Sequence, residues 1–312
     1  MALSRERFST IGHTDIRFWN PVGGAVIEDW IAALALTPES RILDVGCGRA
    51  ELLLRVVERY GCAGVGVDGS SMAIDLGRQE LAHRLPQANC ELRCAPFTAS
   101  DFAPDSLDLA CCVGSSHAIG NYPQTLEVLS QLVKPGGLIL VGEGYWQREP
   151  APEYLGFLQS SRDELLSHQG NIELATSKSL QLLRAYESTP TDWARYEDGY
   201  AANLYTFLAA NPDDPDADAI RERIDSWRNA YQRWGRDTLG FGLYLLRAPA
   251  APASFDSDII VGLDSVQIAS YLKRSELVLQ VLPQELRPAR VWRHGLDAGP
   301  GLNRRSGAHP PS

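Results

Sequence analysis

The chain has no apolar run approaching the 18 or so residues that a membrane span needs. Its opening residues, MALSRERFST, are charged and lack an apolar stretch, so they do not read as a secretory signal. A cytoplasmic location, with no membrane partner, is the simplest expectation. The six cysteines, Cys47, Cys62, Cys90, Cys94, Cys111 and Cys112, form no CxxC pair and no Cys/His ligand spacing. A structural zinc site is therefore not indicated, no metal is expected, and buried reduced thiols are the simpler reading. Excess positive charge is also missing: the net charge of −10 argues against general nucleic-acid binding and leaves a small-molecule partner open. Neither internal repeats nor coiled-coil heptads are visible.

What is present is an ordinary globular composition, 44% apolar and 22% charged, over 312 residues, enough for a sizeable core. Charge is uneven. Lys273 to Ser312 carries seven Lys/Arg against three Asp/Glu, a balance of +4, which leaves −14 for the rest. The Pro/Ala/Ser-rich RAPAAPASFDSD marks the change. The expected organisation is one domain over 1–248, a linker at 249–257 and a small appendage at 258–312.

Short apolar runs alternate with helical periodicity. RILDV, AGVGVD, CELRC, SLDLACCV and LILVGEGYW read as strands, with helices over Glu51 to Tyr60, SMAIDLGRQELAHRL and YPQTLEVLSQLV. KPGG reads as a helix stop with turn chemistry. This alternation predicts an α/β fold with a mostly parallel sheet and helices on both faces. A helical insertion is expected at about 150–235, with EYLGFLQSSRDELLSHQ and TSKSLQLLR as helices, RAYESTP as a strand, and two amphipathic helices around PDDPD; FGLYLLR is a final strand.

The stretch RILDVGCGRAELLL places an acid, Asp44, and two glycines, Gly46 and Gly48, between a strand and a helix. Such a turn lets backbone approach a ligand and presents free helix N–H groups to an anion. A dinucleotide fingerprint wants Gly or Ala in the sixth place. Glu51 stands there, and a carboxylate opposes a pyrophosphate, which disfavours NAD or FAD and a nicotinamide oxidoreductase. Asp68 ends the second strand, 22 residues after Gly46, where a carboxylate can accept ribose hydroxyls in either cofactor class.

Asp44, Gly46, Gly48, Asp68 and the later VKPGGLILVGE resemble, in order, the motifs of class I S-adenosylmethionine-dependent methyltransferases, with Ala50 in the place of the last motif glycine. NPVGG, ACCVGSSHAIGNY, GEGYWQREP, DWARYEDGYAANLYTFLAANPDD and GFGLYLLR narrow the resemblance, over about 8–248, to a bacterial branch of small-molecule methyltransferases. The resemblance implies a Rossmann-like methyltransferase fold with a seven-stranded sheet, S-adenosylmethionine as cofactor, and methyl transfer to oxygen or nitrogen of a small molecule. It implies Asp44 as anchor of the methionine end, and a cofactor shell of Gly46, Cys47, Gly48, Asp68, Gly69 and Gly114. The family's adenine-binding acid has no counterpart, because CAPF supplies Cys94, Ala95, Pro96 and Phe97; adenine would be held by packing on Phe97 and by backbone, unless Thr98 or Asp101 contributes. A catalytically weak cofactor-binding or interaction protein is the alternative that this departure motivates.

Ligands in open α/β sheets bind beyond the carboxyl ends of the strands. Ser115, Ser116, His117, Asn121, Glu143, Tyr145 and Trp146 are therefore expected to rim one cleft. His117 is the first candidate base, since histidine titrates near neutral pH, and Glu143 the second. Asn121, Tyr145 and Trp146 are candidate substrate contacts, with a core role open for Trp146. The stripe Tyr196, Tyr200, Trp227, Tyr231 and Trp234 reads as core or pocket wall, and Trp193, Arg195 and Glu197 as a helix start or substrate contacts. The tail, about 258–297, resembles a segment of the ABC-transport auxiliary lipoprotein family. It lacks that family's signal and lipid-attachment cysteine, and its last dozen residues read as disordered.

Overall fold

The computed structural model describes residues 3–250 of the chain. The appendage, its resemblance to auxiliary lipoproteins and nearly all of the linker lie outside the described residues.

Seven strands form one sheet: β1 (Arg41–Val45), β2 (Ala63–Asp68), β3 (Cys90–Cys94), β4 (Leu107–Val113), β5 (Val133–Trp146), β6 (Gln181–Glu187) and β7 (Leu239–Arg247). Their order is β3-β2-β1-β4-β5-β7-β6. β1 to β5 pair in parallel, and β7 lies antiparallel between β5 and β6. The sheet is therefore mixed, parallel through five strands and antiparallel at one end. The direction of winding reverses between β1 and β4, and that switch point opens a crevice at the carboxyl ends of both strands.

The helices are α1 (Arg5–Gly12), α2 (Gly24–Ala32), α3 (Glu51–Tyr60), α4 (Ser71–Arg84), α5 (Tyr122–Leu132), α6 (Pro152–Leu158), α7 (His168–Ser177), α8 (Pro190–Ala210) and α9 (Ala217–Ala230). Strand side chains alternate between faces. Ile42, Leu109, Cys111, Leu140 and Leu243 pack with α2 and α3 on one face. Leu43, Val45, Ala110, Cys112, Ile139 and Val141 pack with α5 and α7 on the other. Adjacent Cys111 and Cys112 thus serve opposite cores. Both are buried free thiols, as is Cys62, whereas Cys47 and Cys90 are half-buried and Cys94 is exposed.

Two local differences from the sequence reading have physical causes. KPGG is drawn into β5, where the Gly136 N–H donates to the Pro249 carbonyl, so the strand begins at Val133, ahead of the expected Leu138. TSKSLQLLR is not one helix. Ser179, at φ 63°, ends the turn after α7, and β6 begins at Gln181. β6, which overlaps the expected strand RAYESTP, divides the insertion into α6–α7 and α8–α9. α8 starts from a capping box in which Thr189 and Asp192 satisfy each other's backbone N–H groups, with Pro190 in the first turn. α8 packs on α9 and α1 through Phe8, Ile11, Leu204, Leu208, Ile220 and Ile224. α9 runs into a π-helical turn at Tyr231–Gly235.

Candidate active site

A cavity of about 780 Å³ opens over the switch point. Its floor is the turn after β1. The N–H groups of Gly46 and Cys47 both reach the Val67 carbonyl, at 2.8 and 3.2 Å. Gly46 sits at φ +67°, and a Cβ there would lie 2.2 Å from the Ser115 Cβ. Ser115 closes the contact by donating to the Gly46 and Val113 carbonyls. Gly48, at φ +55°, passes beneath the Trp19 ring. Glycine is required at Gly46 both by backbone conformation and by this close approach. Ala50, at φ 62°, adopts the left-handed conformation without being glycine and starts α3 without a side-chain cap.

Two carboxylates face the floor. Asp68 uses both oxygens on backbone: Oδ2 accepts from the Gly48 N–H and Oδ1 from the Ser70 N–H, each at 2.8 Å. Free lone pairs remain on both oxygens for hydroxyl donors. Asp44 is 3% exposed. Burial, and secondarily the Asp68 charge, push its carboxyl up to about 7, with no hydrogen bond holding it down. It is a buried carboxyl at the cavity wall, and burial without a partner disfavours its charged form. Beside it, burial and these two acids raise the Cys47 thiol well above its ordinary value, so Cys47 is not a nucleophile.

Glu51 does not act as the sequence argument assumed. It is 2% exposed, and its oxygens are held by Arg55 at 2.6 Å and Arg84 at 2.9 Å, with Arg17 at 3.7 Å. Its charge is spent inside the protein, and the case against a pyrophosphate passes to Asp44.

The remaining walls gather the other expected cofactor contacts. Gly69, Ala95, Pro96, Phe97 and Gly114 all line the cavity, while Thr98 and Asp101 do not. The Ala95 N–H is turned back onto the Asp68 carbonyl at 3.0 Å, and Phe97 stacks against Phe102. His117 lines the mouth, exposed, in a short 3₁₀ turn at Ser116–Ala118.

The sequence reading anticipated little of the roof. It is built by α1, the loop after it, and α8: Ser9, Thr10, His13, Phe18, Trp19, Asn20 and Tyr196 all line the cavity. His13 Nδ1 lies 2.8 Å from the Ser9 carbonyl, which can only accept, so Nδ1 carries the proton. Nε2 then accepts from the Tyr196 hydroxyl at 2.9 Å. Burial depresses this imidazole to about 4, and it stacks on Trp19 at 4.4 Å. α1 is fastened on two sides. Glu6 accepts from Ser70 and from the Met72 N–H at the start of α4, and Arg7 pairs with Asp214 and Asp216 ahead of α9. The one sequence signal for this roof was Tyr196 in the aromatic stripe.

Other expected contacts lie elsewhere. Asn121 caps α5 by accepting from the Gln124 N–H. Tyr145 is buried and donates to Glu187, and Trp146 donates to the Arg162 carbonyl and packs on Tyr154. Neither aromatic lines the cavity, because β7 and the 160s segment cover the end of β5. Glu143 also stands outside the lining. One oxygen accepts from the Gly144 N–H and the other is enclosed without a partner; burial raises its carboxyl, opposed by Ser116 and that N–H. Trp193 stacks on Tyr231, and Arg195 pairs with Asp192. Glu197, pushed up to about 7 by burial, accepts from Trp227 Nε1 and lines a separate hollow of about 330 Å³ beside the π-helical turn. Among the described residues no cluster of His, Cys, Asp or Glu could hold a metal, and no helix is long and apolar enough to cross a membrane.

Residues 42–137 match the family described as "Methyltransferase domain". Over 252 residues the chain is 29% identical to YjhP of Escherichia coli K12, covering 78% of this chain and 98% of that one. The X-ray structure of YjhP superposes with a TM-score of 0.70 at 27% identity, over 78% of this chain and 99% of that one. A methyltransferase from Thiobacillus denitrificans, crystallised with S-adenosylhomocysteine, gives 0.70 at 25% identity over 80% and 100% of the two chains. The fold is that of a class I S-adenosylmethionine-dependent methyltransferase. A Geobacter sulfurreducens methyltransferase, also holding S-adenosylhomocysteine, matches equally, with a TM-score of 0.70 at 27% identity over 78% and 98%.

Proposed function

We propose that this methyltransferase-fold chain binds S-adenosylmethionine over the β1 turn and transfers its methyl group to an oxygen or nitrogen of a small molecule. The observation that carries this reading is Asp44, a buried carboxylate with no protein hydrogen bond, set at a cavity wall beside a glycine turn. An ammonium is the group such a carboxylate lacks, and a dinucleotide pyrophosphate would meet its charge instead. Asp68 would accept from ribose hydroxyls with its spare lone pairs. Phe97 and backbone would hold adenine, since neither Ala95 nor Pro96 offers an acceptor side chain. Gly46, Cys47, Gly48, Gly69 and Gly114 complete the contact shell.

The cofactor supplies an electrophilic methyl on a sulfonium, so the chain's task is to orient the acceptor and keep water out. His117, which lines the cavity, would take a proton from an O–H or N–H acceptor. Glu143, outside the lining, is the second candidate base. The alternative, a cofactor-binding protein without turnover, is favoured by the missing adenine acceptor at Ala95 and Pro96.

Calorimetric titration with S-adenosylhomocysteine tests binding, and no heat at millimolar ligand refutes both readings. Methyl-donor turnover against a metabolite library then separates enzyme from binding protein. Thermal protection by NAD(H), and not by S-adenosylhomocysteine, would return the site to nicotinamide chemistry.

A further inference from the structure

The roof contains polar atoms that the protein itself leaves unsatisfied. Trp19 Nε1, Asn20 Oδ1 and Thr10 Oγ1 are fully enclosed and have no hydrogen-bond partner. Three of the seven such atoms among the described residues thus fall within an eleven-residue span, and all three residues line one cavity. Enclosed polar atoms without partners are rare in native proteins and call for an occupant. Thr10 is itself 8% exposed.

The carboxylates around the cavity are all but one committed, and among the described residues only the exposed Arg5 of its arginines has no ion pair. Glu6 is held by Ser70, Ser71 and the Met72 N–H, Asp68 by the Gly48 and Ser70 N–H groups, and Glu51 by arginines. Asp44 alone has no partner, and the proposed function assigns it to the methyl donor's ammonium. No inner carboxylate is left for a second cation. Arg49 pairs with Glu80 and donates to the Thr14 carbonyl, leaving its Nε enclosed without a partner, and Arg17 lies 3.7 Å from Glu51. His13 offers no charge either, since its Nδ1 proton is tied to Ser9 and its Nε2 is occupied by Tyr196. What remains is the stacked His13–Trp19 pair, donors on Trp19 and Arg49 Nε, an acceptor on Asn20 and a hydroxyl on Thr10.

We propose that the methyl acceptor lodges beneath this roof and is an uncharged, flat molecule carrying both a hydrogen-bond acceptor and a donor, read by Trp19, Asn20 and Thr10. This rests on the reading that the floor holds the methyl donor. The Trp19 indole can only donate and the Asn20 amide oxygen can only accept, so together they demand both functions from the ligand. A polar site of this kind rejects an analogue missing one function, because its own enclosed group is then left unpaired.

The test uses the full chain saturated with S-adenosylhomocysteine. The probes are 2-quinolone, whose ring N–H adjoins its carbonyl, 1-methyl-2-quinolone, 1-naphthoate and benzyltrimethylammonium, each titrated by calorimetry. The expected order places 2-quinolone first, with at least a fivefold loss on N-methylation. Trp19→Phe keeps a ring and removes the N–H; it should weaken 2-quinolone at least fivefold and leave S-adenosylhomocysteine within twofold. Thr10→Val is the second variant, with the same pattern expected. Tighter binding of the cation or the anion overturns the proposal, as does failure of 2-quinolone to bind the loaded protein, or unchanged 2-quinolone affinity in both variants. Equal weakening of 2-quinolone and S-adenosylhomocysteine by Trp19→Phe would give Trp19 to the cofactor and overturn it too. Absence of S-adenosylhomocysteine binding at the outset would refute the proposed function and this inference with it.

Discussion

Replacing Asp44 by asparagine should make the ligand-free protein more stable at pH 8 and abolish most of its cofactor affinity. In the folded chain the Asp44 carboxyl stands at about 7, against 3.8 for an unburied aspartate. Between those values the folded state holds a proton that the unfolded state has lost, so stability falls as pH rises. The contribution is fully present below about pH 4, drains away up to about pH 7, and is flat above. At 1.36 kcal/mol per pH unit the whole window amounts to about 4 kcal/mol, of which about 3 kcal/mol lies between pH 5 and pH 8. Asparagine keeps the shape and cannot ionise, so it escapes that loss. Urea unfolding of wild type and Asp44→Asn at pH 5 and pH 8 measures it: the gap in favour of the variant should widen by about 3 kcal/mol, or roughly 6–12 °C in Tm. Glu197, also near 7, titrates in both proteins and cancels in the difference. Cofactor affinity runs the other way. An ammonium needs the ionised carboxylate, so S-adenosylhomocysteine should bind wild type about tenfold more weakly at pH 6 than at pH 8, with no such slope in the variant. Parallel stability curves for the two proteins would refute the burial argument, and a pH-independent wild-type affinity would refute the ammonium contact.

Asp68→Ala should weaken S-adenosylhomocysteine by about 1.5–3 kcal/mol in calorimetry, since it removes a charged acceptor and frees the Gly48 and Ser70 N–H groups; unchanged affinity would remove Asp68 from the ribose. Gly46→Ala should lose at least about 2 kcal/mol of unfolding free energy, from its φ of +67° and a Cβ set against Ser115. Glu51→Gln should cost about 3 kcal/mol in urea unfolding, because Arg55 and Arg84 lose a buried partner. His117→Ala should lower turnover roughly a hundredfold while cofactor affinity stays within threefold; equal loss of both would make His117 a cofactor contact.

Six of the seven strands were legible because each is an apolar run punctuated by Gly, Pro or an acid, and because the binding turn is local; β6 was displaced because QLLR continues a helical pattern. Asp44, Gly46 and Gly48 lie within five residues, and Asp68 is only one βα unit away. The roof is the opposite case. His13 meets Tyr196 across 183 positions, and nothing in either segment announces the other. The misplacement of Tyr145 and Trp146 has a related cause. Strand order locates the end of β5 near the crevice, but the cover over it comes from β7 and the 160s segment, pairings that no local pattern encodes. Glu51 shows a third kind of gap: a carboxylate reads as free charge until its arginines arrive from elsewhere in the chain.

The arrangement around α1 separates two kinds of inheritance. Residues 42–137, the part matched by the methyltransferase family, contain the glycine turn, Asp44 and Asp68, and none of α1 or α8. α1 contributes no strand to the sheet, and its charged ties are Glu6 on one side and Arg7 on the other. Drift in the first twenty residues would therefore alter the roof while the glycine turn and the sheet stay as they are. Two descendants of one ancestor could keep the same donor chemistry and diverge in diet by exchanging little more than a helix.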